Sequence, residues 1–145
     1  MPFEDWGSLS TVLLDGLHEL TDGDFLVLGE PGPPAGPRRG LLRRRSAPEP
    51  ARYVQVLRVG DSFSAECVGA RSLGGTWEMG PATIAELRAV GWLVPAESRD
   101  TYGNVTPNFA CYVAVEDTAD LARLLVQSLQ VLDVDPAALE LQMSR

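Results

Sequence analysis

The 145 residues contain 12 basic side chains, all of them arginine, against 20 acidic ones and a single histidine, which gives a net charge of −8. This charge argues against general affinity for nucleic acid, because phosphates require a basic protein surface. No apolar run approaches the roughly 20 residues of a membrane-spanning helix, and the acidic start differs from a secretory signal. We therefore expect a cytoplasmic protein without membrane insertion, folded as one domain over residues 1–145.

The first predicted element is an amphipathic helix from about Asp5 to Leu20. Its apolar residues recur at spacings of three and four, and the Asp5 carboxylate can accept a backbone N–H of the first turn. The apolar run from Phe25 to Leu28 then predicts a buried strand.

Residues 31–50 interrupt this pattern with six prolines, three glycines and five arginines. About 20 structureless residues are uncommon in a compact domain unless they are functional or disordered, so we predict a mobile loop. Its charge is +4 and that of the remaining chain is −12. Arg43, Arg44 and Arg45 are candidates for docking onto an acidic partner or lipid head groups, or for folding back on the acidic body to cover a binding face. The alternative is that the loop is a solvated insertion without a role.

A β-hairpin is predicted next, from Arg52 to Ala70, with Gly60-Asp61 as a two-residue type II′ turn. A helix should begin at Pro81 and end at Gly91, since proline suits the first helical turn and glycine the position after the last.

The remaining residues predict a central strand over Asn108–Val115, which is apolar on both faces, and a final helix capped by Asp117. Pro136 should end this helix, with one more turn over Pro136–Leu141. The order of elements contains too few βαβ units for a doubly wound sheet. We predict an α+β fold in which a small antiparallel sheet carries helices on one side.

Neither a catalytic site nor a metal or cofactor site is predicted. A cysteine nucleophile needs a base within hydrogen-bond reach and a lowered pKa, whereas Cys67 and Cys111 lie inside predicted strands and His18 lies beside the buried stripe of its helix. Buried thiols are expected, with a disulfide as the alternative. The spacing of a four-ligand zinc site and a phosphate-binding glycine motif are both absent from the sequence.

Four aromatic side chains are candidates for lining a peptide groove, since aromatic residues are favoured at interfaces. Trp92 and Phe109 fit a core position equally well, and we favour the core for both. Tyr102 lies in a polar segment and should be at the surface. The predicted partner-binding residues are Trp77, Trp92 and Tyr102, together with the three arginines of the loop.

The second half of the chain resembles a known family. The residues that carry the resemblance are a helix ending in Gly91-Trp92, then Pro107-Asn108-Phe109, then a last helix followed by Val134-Asp135-Pro136 and Leu139. In this order they are similar to type III secretion chaperone-like and YbjN-like proteins, and most closely to the actinobacterial peptide-binding chaperones grouped with them.

This resemblance implies a non-enzymatic protein that holds an extended or amphipathic peptide on its sheet and helix surfaces, without a cofactor and often as a homodimer. An exposed sheet edge and neighbouring apolar pockets can provide such binding. The alternative is a small ligand-binding or regulatory domain, which would require an enclosed apolar pocket.

Deleting residues 32–50 tests the prediction for the loop. A disordered loop contributes no packing, so the melting temperature of the deletion variant should be nearly that of the full chain. Thermal denaturation followed by circular dichroism measures the difference. A loss of several degrees would show that the loop packs against the rest of the protein.

Overall fold

The computed structural model describes residues 3–31, 51–95 and 107–144, so the predicted loop at 31–50 lies, except for Pro31, outside the described residues. The helices of the described part are α1 (Trp6–Glu19), α2 (Pro81–Val90) and α3 (Thr118–Val131). Its strands are β1 (Phe25–Gly29), β2 (Tyr53–Val59), β3 (Ser62–Cys67), β4 (Phe109–Ala114) and β5 (Glu140–Ser144).

The five strands form one antiparallel sheet in the order β4-β3-β2-β1-β5. At the β2–β3 turn, Gly60 has a φ of +59° whereas Asp61 has no positive φ, which is the pattern of a type II′ turn. The right-handed twist of the two strands favours this turn. The predicted hairpin is therefore confirmed.

All three helices pack on one face of the sheet, as the sequence predicted. Along each strand alternate side chains point to this face, and they form one continuous core with the leucines of the helices. The fully buried side chains of the sheet face include Leu26, Leu28, Val54, Val56, Phe63, Ala65 and Cys67. The α+β prediction, with helices on one side of a small antiparallel sheet, is confirmed.

Helix α3 lies between α1 and α2 and contacts both. Trp92 follows α2 and is only 2% exposed. Its indole N–H donates a hydrogen bond of 2.6 Å to Ser128 Oγ, and that hydroxyl donates in turn to the backbone oxygen of Leu124 at 2.6 Å. The backbone reaches this position because Gly91 ends α2 with a φ of +137°, which a residue with a Cβ adopts only with strain.

The prediction of a central strand over Asn108–Val115 is wrong, because β4 is the terminal strand of the sheet. Its residues are apolar on both faces for a local reason. Leu93 pairs with Ala110 in an isolated antiparallel bridge, with backbone N–H···O distances of 2.9 and 3.1 Å. This pairing buries Ala110, so the edge strand resembles a central one in sequence.

Two predictions for the end of the chain also need correction. Asp117 occupies the position before α3, but its side chain makes no capping hydrogen bond; the hydroxyl of Thr118 instead donates to the backbone oxygen of Val115. The further helical turn predicted over Pro136–Leu141 exists only as a short 3-10 turn, Pro136–Ala138. Strand β5 follows it and was not predicted.

Arg52 connects three parts of the fold. Its Nε and Nη2 atoms donate to the two carboxylate oxygens of Glu30 at 2.8 and 2.7 Å. Its Nη1 donates to the backbone oxygen of Leu132 at 2.9 Å, just after α3. The guanidinium also lies 4.7 Å from the centre of the Trp77 ring. These residues, the Arg52 cluster of Glu30, Arg52 and Trp77, therefore join the end of β1 and the start of β2 to the C-terminus of α3, where a cation is favoured.

The buried bond between Trp92 and Ser128 can be tested by a double-mutant cycle. Ser128→Ala leaves the buried indole N–H without its acceptor, which should cost about 1–3 kcal/mol. Trp92→Phe removes the donor of the same bond and some buried volume. We therefore expect the double variant to lose less free energy of unfolding than the sum of the single losses, by about 0.5–3 kcal/mol. Urea denaturation measures the free energy of unfolding of the wild type, the two single variants and the double variant. Additive losses would show that the bond does not contribute to stability.

The pair of Glu30 and Arg52 should make stability depend on pH. Hydrogen bonds from Arg52 hold the pKa of Glu30 below its ordinary value of 4.5, so the folded protein binds fewer protons there than the unfolded chain. The resulting stabilisation is complete above the unfolded pKa and disappears as the pH falls through the lower, folded pKa.

Glu30→Gln measures this effect. We expect the difference in free energy of unfolding between wild type and variant, taken from urea denaturation, to shrink as the pH is lowered from about 6 to about 3. The other carboxylates titrate in both proteins, so the difference reports on Glu30. A difference that stays constant across this range would show that Arg52 does not stabilise the charged form of Glu30.

Candidate functional site

The face of the sheet opposite the helices carries no helix among the described residues; we call it the open face. Two rows of side chains cross it, in the register of the strands. The first row consists of Ser144, Phe25, Leu57, Ser64 and Tyr112, one from each strand. The second consists of Gln142, Val27, Gln55, Glu66 and Ala110.

The first row exposes large apolar side chains to solvent. Phe25 is 41% exposed, Leu57 36% and Tyr112 47%. Phe25 and Leu57 lie directly opposite each other on neighbouring strands, about 5 Å apart. An antiparallel sheet with one solvated face normally alternates apolar and polar side chains, so this row is a departure that requires an explanation.

Leu93 adds to the same face. It pairs directly with Ala110, whose side chain belongs to the second row, and it is 36% exposed. Of the six large hydrophobic side chains that are exposed in the described residues, Phe25, Leu57, Leu93 and Tyr112 lie on the open face; the other two are Val12 and Leu73. Exposed apolar residues that share one face are typical of interaction surfaces, so the open face is the candidate site.

A hydrogen-bond cluster around Asn108 fixes the end of the open face that lies farther from the exposed row. The Asn108 amide donates to Glu66 Oε1 at 2.8 Å and to the Tyr53 hydroxyl at 3.2 Å. Its side-chain oxygen accepts the backbone N–H of Gly69 at 3.0 Å. Burial raises the pKa of Tyr53, so its hydroxyl stays protonated at neutral pH. These bonds hold β2, β3 and β4 in one register.

The structure does not bring the predicted partner-binding residues together on the open face. Trp77 is half-buried and stacks on Arg52, within the Arg52 cluster. Trp92 is buried, which supports the core interpretation, as does the complete burial of Phe109. Tyr102 and the arginines Arg43, Arg44 and Arg45 lie outside the described residues.

Alternation within each strand could have identified the three exposed residues one by one, but not their alignment in one row. Phe25, Leu57 and Tyr112 each occupy the phase of their strand opposite to the fully buried side chains. A large apolar residue in the solvent-facing phase of a strand is the pattern that indicates such a position. Phe25 and Tyr112 belong to segments that were predicted as a buried and a central strand, with both faces apolar, and Leu57 belongs to a predicted hairpin strand whose faces were not assigned.

A shallow groove of about 570 Å³ lies between α2 and α3. Its walls mix apolar and polar side chains and open widely to solvent: Glu86, Ala89, Val90, Gln127, Gln130 and Val131. This groove lacks the enclosed apolar character that a small-ligand site requires.

The two cysteines are free and buried on adjacent strands, both facing the helices. Burial raises the pKa of Cys111 to about 12, and burial together with the nearby Cys111 raises the pKa of Cys67. Both thiols are therefore protonated at neutral pH and poorly suited to nucleophilic attack. His18 is exposed on α1. Within residues 3–31, 51–95 and 107–144, no three histidine, cysteine or carboxylate side chains are grouped as metal ligands.

Comparison with known proteins agrees with this architecture. No helix in the described part of the chain is long and apolar enough to cross a membrane. No curated protein and no solved structure matches the chain. The family model described as "T3SS (YopN, CesT) and YbjN peptide-binding chaperone 3" matches residues 3–144, almost the whole chain. The chain therefore belongs to this family of peptide-binding chaperones.

Proposed function

We propose that this protein binds an extended segment of another protein or peptide on the open face of its sheet and catalyses no reaction. Membership of the family supports a peptide-binding, chaperone-like role in general. The observation that carries the finer proposal is the exposed row, in which Phe25 and Leu57 are direct neighbours and Tyr112 follows beyond Ser64. Burying such side chains against a partner gives roughly 25 cal/mol for each Å² of apolar surface removed from water.

Binding to the face fits the structure better than addition of a strand to the β4 edge. Leu93 already pairs with Ala110 at that edge through two backbone hydrogen bonds. On the open face the partner would instead be recognised through its side chains, and the surrounding polar residues would remain hydrated. This arrangement has the apolar centre and polar rim that are typical of protein interfaces.

The proposal includes a cytoplasmic location and is compatible with a homodimer. The free, buried thiols of Cys67 and Cys111 fit a reducing compartment. A homodimer, as the family resemblance implies, would have to use a surface other than the open face for the peptide to bind there. The helix layer, which carries the groove between α2 and α3, offers such a surface.

Substitution of the exposed row tests the proposal. The probe is an array of immobilised 12-residue peptides of random sequence, incubated with purified protein. We expect peptides with aromatic and aliphatic residues to be retained, and the variant Leu57→Gln/Tyr112→Ser to bind them at least about tenfold more weakly, as for loss of central interface anchors. Fluorescence anisotropy with the retained peptides measures the dissociation constants.

The matched control is Val12→Ser/Leu73→Gln. Val12 is 42% and Leu73 41% exposed, so this variant removes similar apolar surface outside the open face. We expect it to bind as the wild type does, and thermal denaturation verifies that both variants are folded. Equal weakening by the two variants would contradict the open face as the site. An array that retains no peptide would contradict the proposed function itself.

A further inference from the structure

The charge of the surface around the exposed row indicates what kind of segment it binds. Among the described residues of the open face there is no cation, whereas Glu66 and Glu140 place two carboxylates there. Arg58, at the end of β2, has its guanidinium directed away from this face: it donates to the backbone oxygens of Leu20 and Gly60 at 2.8 and 2.6 Å. A basic side chain of a partner would therefore find no competing cation on the face.

Further carboxylates surround one end of the sheet, where β1 and β3 begin and β2 and β4 end. We call this group the acidic rim: Asp22, Asp24, Asp61, Glu116 and Asp117. The turns of the rim contact one another, since Asp22 Oδ1 accepts the backbone N–H of Gly60 at 2.8 Å and the backbone oxygen of Asp61 accepts the N–H of Val115 at 2.9 Å. Arg58 donates to backbone oxygens at this end, and the five carboxylates of the rim together with Arg58 carry a net charge of −4.

The acidic rim lies next to the exposed row. Asp24 directly precedes Phe25, Asp61 is three residues from Ser64, and Glu116 is four residues from Tyr112. At about 3.3 Å for each residue of a strand, the Cα atoms of Asp24, Asp61 and Glu116 lie within roughly 13 Å of the nearest Cα atom of the row. Physiological salt screens charge over about 8 Å. A basic side chain that extends from a segment bound on the row would therefore come close enough to interact with the rim.

We propose that the open face selects a cationic amphipathic segment, in which aromatic or aliphatic residues alternate with arginine or lysine; this rests on the proposed function above. In an extended chain alternate side chains point to opposite sides. The apolar side chains would contact Phe25, Leu57 and Tyr112. The long basic side chains at the margins of the segment would bend towards the acidic rim, as such side chains do when their apolar stems are buried.

A second copy of this chain fits the open face less well. The described residues contain 17 carboxylates and five arginines, a net charge of −12. Two copies joined through their open faces would bring two surfaces of negative charge together, including Glu66 and Glu140 of each copy, and like charges across an interface are destabilising. The same charges attract a cationic segment and increase its rate of association.

Three fluorescein-labelled 12-residue peptides test the proposal. The first alternates leucine with arginine, the second has glutamate in place of each arginine, and the third has serine in place of each leucine. We expect the leucine–arginine peptide to bind most tightly in fluorescence anisotropy, at least about tenfold more tightly than either of the others. Its affinity should fall as the salt concentration rises from about 50 to 300 mM, because the carboxylates are exposed and screened by salt.

Paired charge variants locate the contact. Asp61→Asn/Glu116→Gln removes two charges of the acidic rim, whereas Asp15→Asn/Glu86→Gln removes two exposed charges from α1 and α2 and changes the net charge equally. We expect the rim variant to bind the leucine–arginine peptide roughly five- to tenfold more weakly than the helix variant does.

Each other outcome has a separate meaning. If the leucine–glutamate peptide binds as tightly as the leucine–arginine peptide, the cationic preference is wrong and peptide binding by the open face still stands. If the rim and helix variants weaken binding equally, only the overall charge matters and the acidic rim is not the contact. If no peptide binds, and sedimentation shows a dimer that Leu57→Gln/Tyr112→Ser dissociates, the open face is an interface between copies and both proposals are wrong.

Discussion

The fold depends on how Arg52 connects the sheet to the end of the last helix. The guanidinium donates to both carboxylate oxygens of Glu30 and to the backbone oxygen of Leu132. It thereby fixes the position at which the chain leaves α3 and turns back towards β1. Asp133, the next residue, has a φ of +62°, and the chain then enters β5, which pairs with β1. The strand that completes the sheet therefore begins at a point that Arg52 holds.

Arginine is well suited to this position, because its planar group can donate to a carboxylate and to a backbone oxygen at the same time. The side chains of Arg52 and Glu30 are each about 20% exposed, so the pair is partly shielded from salt. Glu30 and Arg52 also stand at the two ends of the long connection between β1 and β2. Their pairing holds the two ends of that connection together, independently of its length.

One-sided packing of the helices determines where a partner can bind. The core uses the side chains that point from the sheet to α1, α2 and α3, and this leaves the opposite phase of every strand available to solvent. Most residues of the family resemblance serve the packed side and its turns, whereas Asn108 lies at one end of the open face. Gly91 and Trp92 join α2 to α3, Asn108 holds three strands together, and Leu139 is buried. They identify the fold and say little about the surface that binds.

The contrast between the packed side and the open face explains which features could be predicted from the sequence. The predicted fold class and the hairpin depended on local features, such as the turn at Gly60, and the structure confirms them. Strand β5 escaped prediction because Glu140, Gln142 and Ser144 alternate with apolar residues over only five positions, a short pattern next to a proline. The position of β4 could not be predicted either, since Ala110 is buried by a single bridge with Leu93, a contact between residues 17 positions apart.

The exposed row could be predicted only after the strand order was known. Phe25, Leu57 and Tyr112 are 32 and 55 residues apart in sequence, and only the register of four strands places them in line. In isolation each is an ordinary exposed residue of a half-buried strand. Together they form an apolar surface that would favour self-association in a neutral protein. The net charge of −12 on the described residues opposes contact between copies, so the carboxylates that favour a cationic segment also keep the open face accessible to it.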